Sequence, residues 1–253
     1  MKIDKIQKLK NNKYKIIIDD EAIVTFDNVI LEQNLLYKKN IDKDLYEKII
    51  NDTEYYNIYD KAFKYSLRKR RSEKEIKIYL INLNIEDHII DKIILQLKKI
   101  NLINDIEYCR AFINDRVYLS KNGIDKIKYD LLNQNISIDI IDKELDNIDK
   151  DIFYNRLEKM IQKKIKTNTK YSNYKLKQKI LNDMLNLGYN KELILEIIET
   201  NIENNFSILE KEYNKLYNNL IKKYTEKETL IKVKQKLLYK GFNIDDINKL
   251  IVK

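Results

Sequence analysis

Cys109 and His88 are the only cysteine and the only histidine in this 253-residue chain, and they are the obvious pair for nucleophilic chemistry. A thiol becomes a catalytic nucleophile when a base such as histidine removes its proton. Cys109, however, falls on an apolar helical stripe, and His88 falls in the first turn of a predicted helix. Packing and solvent exposure explain both residues, so we predict a protein that is not an enzyme.

Metal and nucleotide chemistry are also disfavoured by composition. One cysteine and one histidine are too few soft ligands for a zinc site, and a single cysteine excludes an intrachain disulfide. The three glycines, Gly123, Gly188 and Gly241, are too dispersed to form a glycine-rich phosphate loop. We therefore expect no catalytic residue, no metal and no cofactor.

Basic residues offer a different chemistry, the recognition of negatively charged groups. Lysine and arginine number 49 against 40 acidic residues, which gives a net charge of +9. Residues 61–71 hold six basic side chains and no acid, and end in Arg68, Lys69, Arg70 and Arg71. Guanidinium groups suit carboxylates and phosphates alike, so this cluster predicts contact with an acidic protein surface or with DNA. A solvated helix face is the alternative.

A second basic tract covers residues 163–179 without one acidic side chain, and Tyr171 and Tyr174 lie within it. Lysines that contact phosphates, interleaved with aromatic rings that stack on bases, are typical of single-strand binding. The alternative is that codon usage inflates the lysines and that the tyrosines are core or boundary residues. The contact candidates taken from this tract are Lys163, Lys164, Lys166 and Lys175.

The elements that must position these residues are mainly helices. The absence of proline argues against a many-turned β architecture. Residues 3–9, 14–18 and 22–26 are the exception, because they are short β-prone runs separated by polar residues that favour turns. We predict a small N-terminal antiparallel meander, followed by a helical pattern that begins near Asp42.

Helix starts are marked by residues that can cap them. Ser72 with Glu75, and Thr225 with Glu228, match the capping box, in which a hydroxyl reaches forward and a glutamate reaches back. Asn104 is placed to cap in the same way. Between these starts, apolar residues recur at helical spacing, as in residues 89–100, and this periodicity predicts buried helix faces.

A repeat organises the helices. The motif at residues 80–85 recurs at 131–136, 184–189 and 237–242, at spacings of 51, 53 and 53 residues. Its fifth position is occupied by Asn84, Asn135, Gly188 and Gly241. Asparagine and glycine most readily adopt the left-handed conformation that ends a helix, and the apolar residue after each can fold back on the last turn. The repeat therefore predicts tandem three-helix modules.

The predicted organisation is a β meander with a connecting helix at 1–55, followed by helical repeats at 56–103, 104–152 and 153–206 and a truncated fourth repeat at 207–253. Gly123 stands one repeat after Ser72, so we expect it at the start of a helix, where capping explains it without any ligand contact.

Three segments in this frame, residues 68–76, 102–112 and 121–127, resemble the RecX family of recombinase regulators in order and spacing. Two departures are conservative. Tyr108-Cys109 replaces an aromatic-Ala pair, and asparagine replaces glycine at the end of the first two repeat helices. The resemblance covers residues 60–142 most strongly and extends more weakly to both ends.

The resemblance implies a protein that binds the RecA recombinase in its filament on DNA, lies in the filament groove and limits strand exchange. With the repeat, it nominates Arg68, Lys69, Arg70, Arg71, Arg110, Arg116, Lys121 and Lys126 as contact candidates. Two alternatives stay open: a sequence-independent DNA-binding protein that acts without RecA, and a helical adaptor for another protein. We expect a monomer. We also expect a protein of the cytoplasm, because no apolar run approaches the length of a spanning helix or resembles a signal peptide.

Overall fold

A computed structural model describes residues 1–201 and 206–251. The chain divides into two compact units, Met1–Tyr108, here called unit 1, and Cys109–Lys253, called unit 2.

Unit 1 begins with a three-stranded antiparallel sheet in the order β1-β2-β3. The strands are β1, Ile3–Lys8, β2, Lys13–Ile18, and β3, Glu21–Phe26. Asn11-Asn12 and Asp19-Asp20 form the two turns, and all four residues have positive φ. Paired left-handed residues give hairpin turns whose twist matches that of the strands. The predicted meander is confirmed.

Helices cover one face of this sheet. Helix α1 spans Asp27–Glu32, a 3₁₀ helix spans Leu35–Tyr37, and α2 spans Lys43–Leu67. Ile16 and Ile18 on β2 are fully buried, and α1 and α2 supply most of their surroundings. Ile17, between them, is less buried, because successive side chains of a strand point to opposite faces.

Helix α2 is 25 residues long and runs through the predicted boundary between residues 55 and 56. Its N-terminal half packs in the same core as the sheet, through Ile49 and Tyr56. Its C-terminal half packs in a second core, through Ala62. The helix thus ends the N-terminal segment and also begins the first repeat, and the predicted boundary stays a prediction.

The second core of unit 1 is built by α3, Glu73–Ile81, and α4, Asp87–Lys99. The predicted apolar face of α4 is buried at Ile90, Ile93, Ile94 and Leu97. Ile100 was expected on this buried face but is half exposed, because α4 ends at the preceding residue.

Helix α5, Asp105–Leu119, contains the division between the two units. The helices that follow in unit 2 are α6, Ile124–Leu132; α7, Ile138–Asp146; α8, Asp151–Lys166; α9, Asn173–Asn186; α10, Lys191–Asn201; α11, Phe206–Leu220; α12, Glu226–Tyr239; and α13, Ile244–Ile251. Taken in threes from α5 they form three successive groups, and three helices are described for the fourth repeat. The predicted boundaries at 152/153 and 206/207 fall within α8 and α11, and the repeat bounds stay predictions. The fold class is confirmed: mainly α, tandem three-helix repeats after a small antiparallel β segment.

The repeated turn has one backbone geometry at all four sites. Asn84, Asn135, Gly188 and Gly241 all have φ between 56° and 83°. In the first turn, the Ile85 N–H donates to the Leu80 carbonyl and the Asn84 N–H donates to the Ile81 carbonyl. The other three turns repeat both bonds. This pair of bonds defines the Schellman motif, which satisfies carbonyls that a helix end leaves without partners.

The predicted caps are largely confirmed. The Ser72 hydroxyl accepts from the Glu75 N–H while the Glu75 carboxylate accepts from the Ser72 N–H. The Asn104 side chain accepts from the Glu107 N–H, and the Glu228 carboxylate accepts from the Thr225 N–H.

Two further helix starts have a different arrangement. Ser137 is the N-cap residue of α7 by position, but its side chain makes no capping hydrogen bond. Gly123 is the N-cap of α6 as predicted, but its lack of a side chain has another cause. The Gly123 N–H donates to the Leu187 carbonyl at 2.7 Å, which brings the turn of the next repeat against it.

The same docking recurs one repeat later in unit 2. Ser172, the N-cap of α9, donates its N–H to the Lys240 carbonyl, next to the Gly241 turn. A Cβ on Gly241 would lie 2.8 Å from the Ser172 hydroxyl oxygen. The turn of one repeat therefore packs on the helix start of the repeat before it, and the glycines allow that close approach.

Candidate interaction surfaces

The arginine-rich segment, residues 68–71, connects α2 to α3 in unit 1. Its position is fixed on both sides, by the end of α2 at Leu67 and by the capping box at Ser72. A cleft of about 420 Å³ opens beside it, lined by Lys69, Arg70, Asn101, Asn104, Glu107 and Tyr108 among others. The structure thus brings three of the predicted contact residues, Lys69, Arg70 and Arg71, to one concave surface.

Arg71 points inward. Its side chain is only 12% exposed, and its guanidinium carbon lies 3.4 Å from the centre of the Tyr65 ring. Its Nε donates to the Tyr65 carbonyl at 3.0 Å, and Tyr65 stacks in turn on Tyr79 at 4.0 Å between ring centres. A cation held against an aromatic face in this way stabilises the fold. Arg71 therefore offers little of its surface to a partner.

Arg68, Lys69 and Arg70 are exposed. Lys69 lies 3.1 Å from the Glu75 carboxylate, and Arg70 forms an ion pair with Glu107. Exposed ion pairs contribute little to stability, so a carboxylate or phosphate of a binding partner can replace Glu75 or Glu107 at small cost. These three residues form the outward-facing part of the arginine-rich segment.

Two carboxyl groups close to this cleft have shifted pKa values. Burial raises the pKa of Asp105, and nearby Glu73 adds to that shift against the opposing charge of Lys98. Burial acts in the same direction on Glu73, but hydrogen bonds from Lys98 and Lys77 outweigh it and lower the pKa of Glu73. The start of α3 is thus an ordered network of charges.

In unit 2, Arg110 is tied to the interior. Its Nε and Nη2 donate to the two carboxylate oxygens of Glu144 at 2.9 and 3.1 Å. Glu144 is only 6% exposed, so the arginine compensates a buried charge. A buried carboxylate without its partner is strongly destabilising. This predicted contact residue therefore also stabilises the fold.

The remaining candidates of the second repeat differ in their surroundings. Arg116 lies over the Phe112 ring at 4.7 Å and is partly buried. Lys126 forms an ion pair with Asp130 at 3.0 Å. Lys121 lies in the loop between α5 and α6 and is exposed to solvent.

The lysine-rich tract, residues 163–179, ends α8 and begins α9. Lys164 is paired with Asp183 at 2.5 Å, whereas Lys163 and Lys166 are exposed. Lys175 lies 5.9 Å from the centre of the Tyr239 ring. Of the two tyrosines in the tract, Tyr174 is exposed, and Tyr171 is partly buried under the Lys179 ammonium group, 4.9 Å from its ring centre.

Neither residue considered for nucleophilic chemistry is in a setting that favours it. Cys109 is buried within α5, and His88 is exposed beside Glu86, 3.2 Å from Nδ1 to the carboxylate. Within residues 1–201 and 206–251, no cluster of three His, Cys, Asp or Glu side chains is arranged to hold a metal. No helix in that part of the chain is long and apolar enough to span a bilayer.

Comparison with known proteins places the chain in a family. No protein-family profile matches it. The regulatory protein RecX of Streptococcus uberis is 31% identical to it over 262 residues, which cover 99% of this chain and 98% of that protein. The chain belongs to the RecX family of regulatory proteins.

Other members agree with this assignment. The regulatory protein RecX of Clostridium botulinum is 26% identical over 203 residues, which cover 78% of this chain and 95% of that protein. A crystal structure of a regulatory protein RecX superposes with a TM-score of 0.71 at 18% identity, covering 78% of this chain and 98% of the other. The helical-repeat fold is therefore shared.

Sequence reasoning missed one residue of this RecX-family chain that organises unit 2. Arg156 on α8 donates from Nη1 to the Val117 and Ser120 carbonyls at 2.6 and 2.9 Å, and from Nη2 to the Asn122 carbonyl at 2.9 Å. Its Nε donates to the Tyr189 hydroxyl at 3.0 Å. One guanidinium thus joins the end of α5, the loop after it and the turn of the third repeat.

No local sequence pattern predicts the contacts of Arg156, because its partners lie more than 30 residues away in the sequence. The available signal was its place on α8, one residue before the buried Leu157, where a side chain borders the core. Burial raises the pKa of Tyr189, against an opposing effect of Arg156. The Tyr189 hydroxyl oxygen accepts the hydrogen bond from the guanidinium.

Proposed function

We propose that this RecX-family chain binds RecA recombinase filaments on DNA and inhibits their activity in recombination and repair. The observation that carries the proposal is the 31% identity to a regulatory protein RecX over 99% of the chain. Its action is binding, not catalysis. The partner is a protein filament whose helical symmetry suits a chain built from successive similar repeats.

The contact residues proposed are those with exposed charge. In unit 1 they are the outward-facing Arg68, Lys69 and Arg70. In unit 2 they are Lys121, Lys163 and Lys166, with Lys126, Lys164 and Lys175 beside them and Arg110 and Arg116 held more firmly in the fold. Arg71 contributes indirectly, because it holds the segment that carries the other three.

The test is ATP hydrolysis by the cognate RecA on single-stranded DNA while this protein is titrated from substoichiometric to equimolar amounts. DNA binding by the protein alone is measured at the same salt concentration. Inhibition below the amount needed to coat the DNA is the expected result. Inhibition that appears only when the DNA is saturated, or no inhibition, contradicts the proposal.

A matched pair of variants locates the effect. We expect the triple variant Arg68→Ala, Lys69→Ala, Arg70→Ala to require several-fold more protein for the same inhibition. The control carries Lys8→Ala, Lys10→Ala and Lys38→Ala, which remove equal charge from exposed positions elsewhere in unit 1. Equal loss in both variants would show that net charge, and not this segment, supports inhibition.

A second candidate, sequence-independent DNA binding without RecA, is favoured by the exposed Tyr174 among the lysines of the lysine-rich tract. It predicts affinity for oligo(dT) that falls steeply as salt rises, because each neutralised phosphate releases counterions. Weak binding with a shallow salt dependence counts against it. If neither RecA nor DNA binds, the chain is a helical adaptor for another protein.

A further inference from the structure

Helix α8 has two stripes of residues, one buried in the core of unit 2 and one lining an open groove. Phe153, Leu157 and Ile161 form one stripe, and all three are buried in unit 2. The second stripe is Ile152, Asn155, Arg156, Lys159, Met160 and Lys163. Its spacing of three and four residues places it along a single face of the helix. This second face lines an open groove of about 590 Å³.

Lys121, which is not on α8, also lines the groove. It lies in the loop between α5 and α6, and Arg156 holds that loop by donating to the carbonyls of Ser120 and Asn122, the residues on either side of Lys121. The guanidinium thus fixes one wall of the groove against α8. Since Nη1 and Nη2 donate to backbone carbonyls and Nε donates to the Tyr189 hydroxyl, Arg156 positions the groove and is not itself aimed at a partner.

The groove combines an apolar floor with a positive rim. Ile152 and Met160 are partly buried and supply apolar surface, whereas Lys121, Lys159 and Lys163 are exposed. No acidic side chain is among the groove-lining residues. None of the three lysines forms an ion pair with another residue in the described ranges, in contrast to Lys164, which is paired with Asp183.

We infer that this groove binds an acidic, amphipathic segment of a partner protein, with apolar side chains on Met160 and Ile152 and carboxylates on the three lysines. Charge complementarity across an interface favours such a segment and steers its approach. A flexible methionine adapts to differently shaped apolar side chains, as it does at surfaces that bind peptides. The inference rests on the proposed function, because it supplies the kind of RecA surface that would be bound.

The lining of the groove favours protein over nucleic acid. Surfaces that bind single strands present aromatic rings on which bases stack. The residues lining this groove include no aromatic side chain, and its floor is aliphatic and thioether. Of the two tyrosines of the lysine-rich tract, Tyr171 lines a different pocket, together with Lys170 and Lys179.

The probe for this inference is a fluorescein-labelled peptide of Glu and Leu that forms an amphipathic helix of about three turns, the length of the stripe on α8. Its binding is followed by fluorescence anisotropy. We expect the double variant Lys159→Glu, Lys163→Glu to bind this peptide at least about tenfold more weakly, which corresponds to about 1.4 kcal/mol. Met160→Glu, which places a charge on the floor, should weaken it as well.

The control variant carries Lys143→Glu and Lys191→Glu, two exposed lysines outside the groove with the same total change of charge. It should bind the peptide nearly as wild type does. A second peptide, in which serine replaces leucine, should bind much more weakly. The inference is overturned if that peptide binds equally well, or if the groove variant loses affinity for oligo(dT) while keeping the Glu-Leu peptide.

The RecA assay separates this inference from the proposed function. If wild-type protein inhibits RecA but the groove variant binds the Glu-Leu peptide unchanged, only the inference fails. If wild-type protein does not inhibit RecA, the proposed function fails, and peptide binding still decides whether the groove accepts an acidic amphipathic segment. We expect the groove variant to lose both peptide binding and part of its inhibition of RecA.

Discussion

The carbonyl oxygen of Gly188 lies 2.2 Å from the position that a Cβ on Gly123 would occupy. No real Cβ approaches a backbone oxygen so closely, so the start of α6 and the turn after α9 can meet only because residue 123 has no side chain. The contact is reinforced by the Asp125 N–H, which donates to the same Gly188 carbonyl at 3.1 Å.

Gly123→Ala should therefore destabilise unit 2. The added methyl group meets backbone, which cannot move aside as a flexible side chain can, and we expect a cost of about 1–3 kcal/mol in the free energy of unfolding. Urea denaturation followed by circular dichroism measures this cost. Ser137→Ala is the control, since Ser137 is also an N-cap but makes no capping hydrogen bond. Equal stability of the two variants would contradict the docking role.

Arg156→Lys should destabilise unit 2 despite keeping the positive charge. A lysine ammonium cannot reproduce the forked geometry that reaches the carbonyls of Val117, Ser120 and Asn122. We expect a loss of about 2–3 kcal/mol, because partly buried carbonyls lose charge-assisted donors. Tyr189→Phe removes only the bond to Nε and should cost about 1 kcal/mol. Thermal and urea unfolding distinguish the two, and a harmless Arg156→Lys would refute the assignment.

Arg70 and Arg71 are adjacent in sequence but should behave oppositely when replaced by alanine. Arg71→Ala removes the guanidinium from the Tyr65 ring and should lower stability by about 1–2 kcal/mol. Arg70→Ala removes an exposed ion pair and should change stability by less than about 0.5 kcal/mol while weakening inhibition of RecA. Unfolding and ATPase measurements on both variants test this contrast. Equal effects in both assays would mean that the segment acts as one unit.

Tyr55 makes the stability of unit 1 sensitive to alkaline pH. Burial, with smaller contributions from Tyr59 and Glu32, raises the pKa of Tyr55 from 10.0 to about 12. Because the folded state holds this proton more tightly than the unfolded state, the stabilisation is fully present below pH 10 and is lost as the pH rises from 10 to 12. We expect Tyr55→Phe to reduce the fall in unfolding free energy across that interval.

The same variant tests a second property of Tyr55. Its buried hydroxyl makes no hydrogen bond to any residue in the described ranges. Since an unsatisfied buried hydroxyl is costly, Tyr55→Phe should leave the protein at pH 7 as stable as wild type, or more stable by up to about 1 kcal/mol. Urea titrations at pH 7, 10 and 11.5 supply both comparisons, and a clear loss of stability at pH 7 would reveal a partner for the hydroxyl.

The sequence predicted the features of this fold that depend on neighbouring residues. The hairpin turns follow from asparagine and aspartate pairs, and the four Schellman turns follow from Asn84, Asn135, Gly188 and Gly241 at one repeated position. Each of these residues determines the backbone of its own turn, so a local pattern is sufficient. Helix α1 was not predicted, because its six residues are too few to show a periodicity.

Features that depend on distant residues could not be predicted. Arg71 and Arg70 look alike in sequence, and only the position of the Tyr65 ring decides that Arg71 turns inward. Arg156 was overlooked for the same reason, since its partners belong to another repeat. The groove on α8 combines such a distant contact with a local stripe, and the stripe alone does not reveal that Lys121 lies opposite.

Within unit 2, the turn of one repeat docks on the helix start of the repeat before it, and the same arrangement recurs at the next junction. At both junctions within unit 2, donor and acceptor occupy equivalent positions in successive repeats, as Gly123 meets the Leu187 carbonyl and Ser172 meets the Lys240 carbonyl. One whole repeat could therefore be inserted or deleted within unit 2 and leave the junctions there with matching partners, whereas insertion of part of a repeat would leave one junction unmatched. Unit 2 is therefore free to change length in steps of a whole repeat.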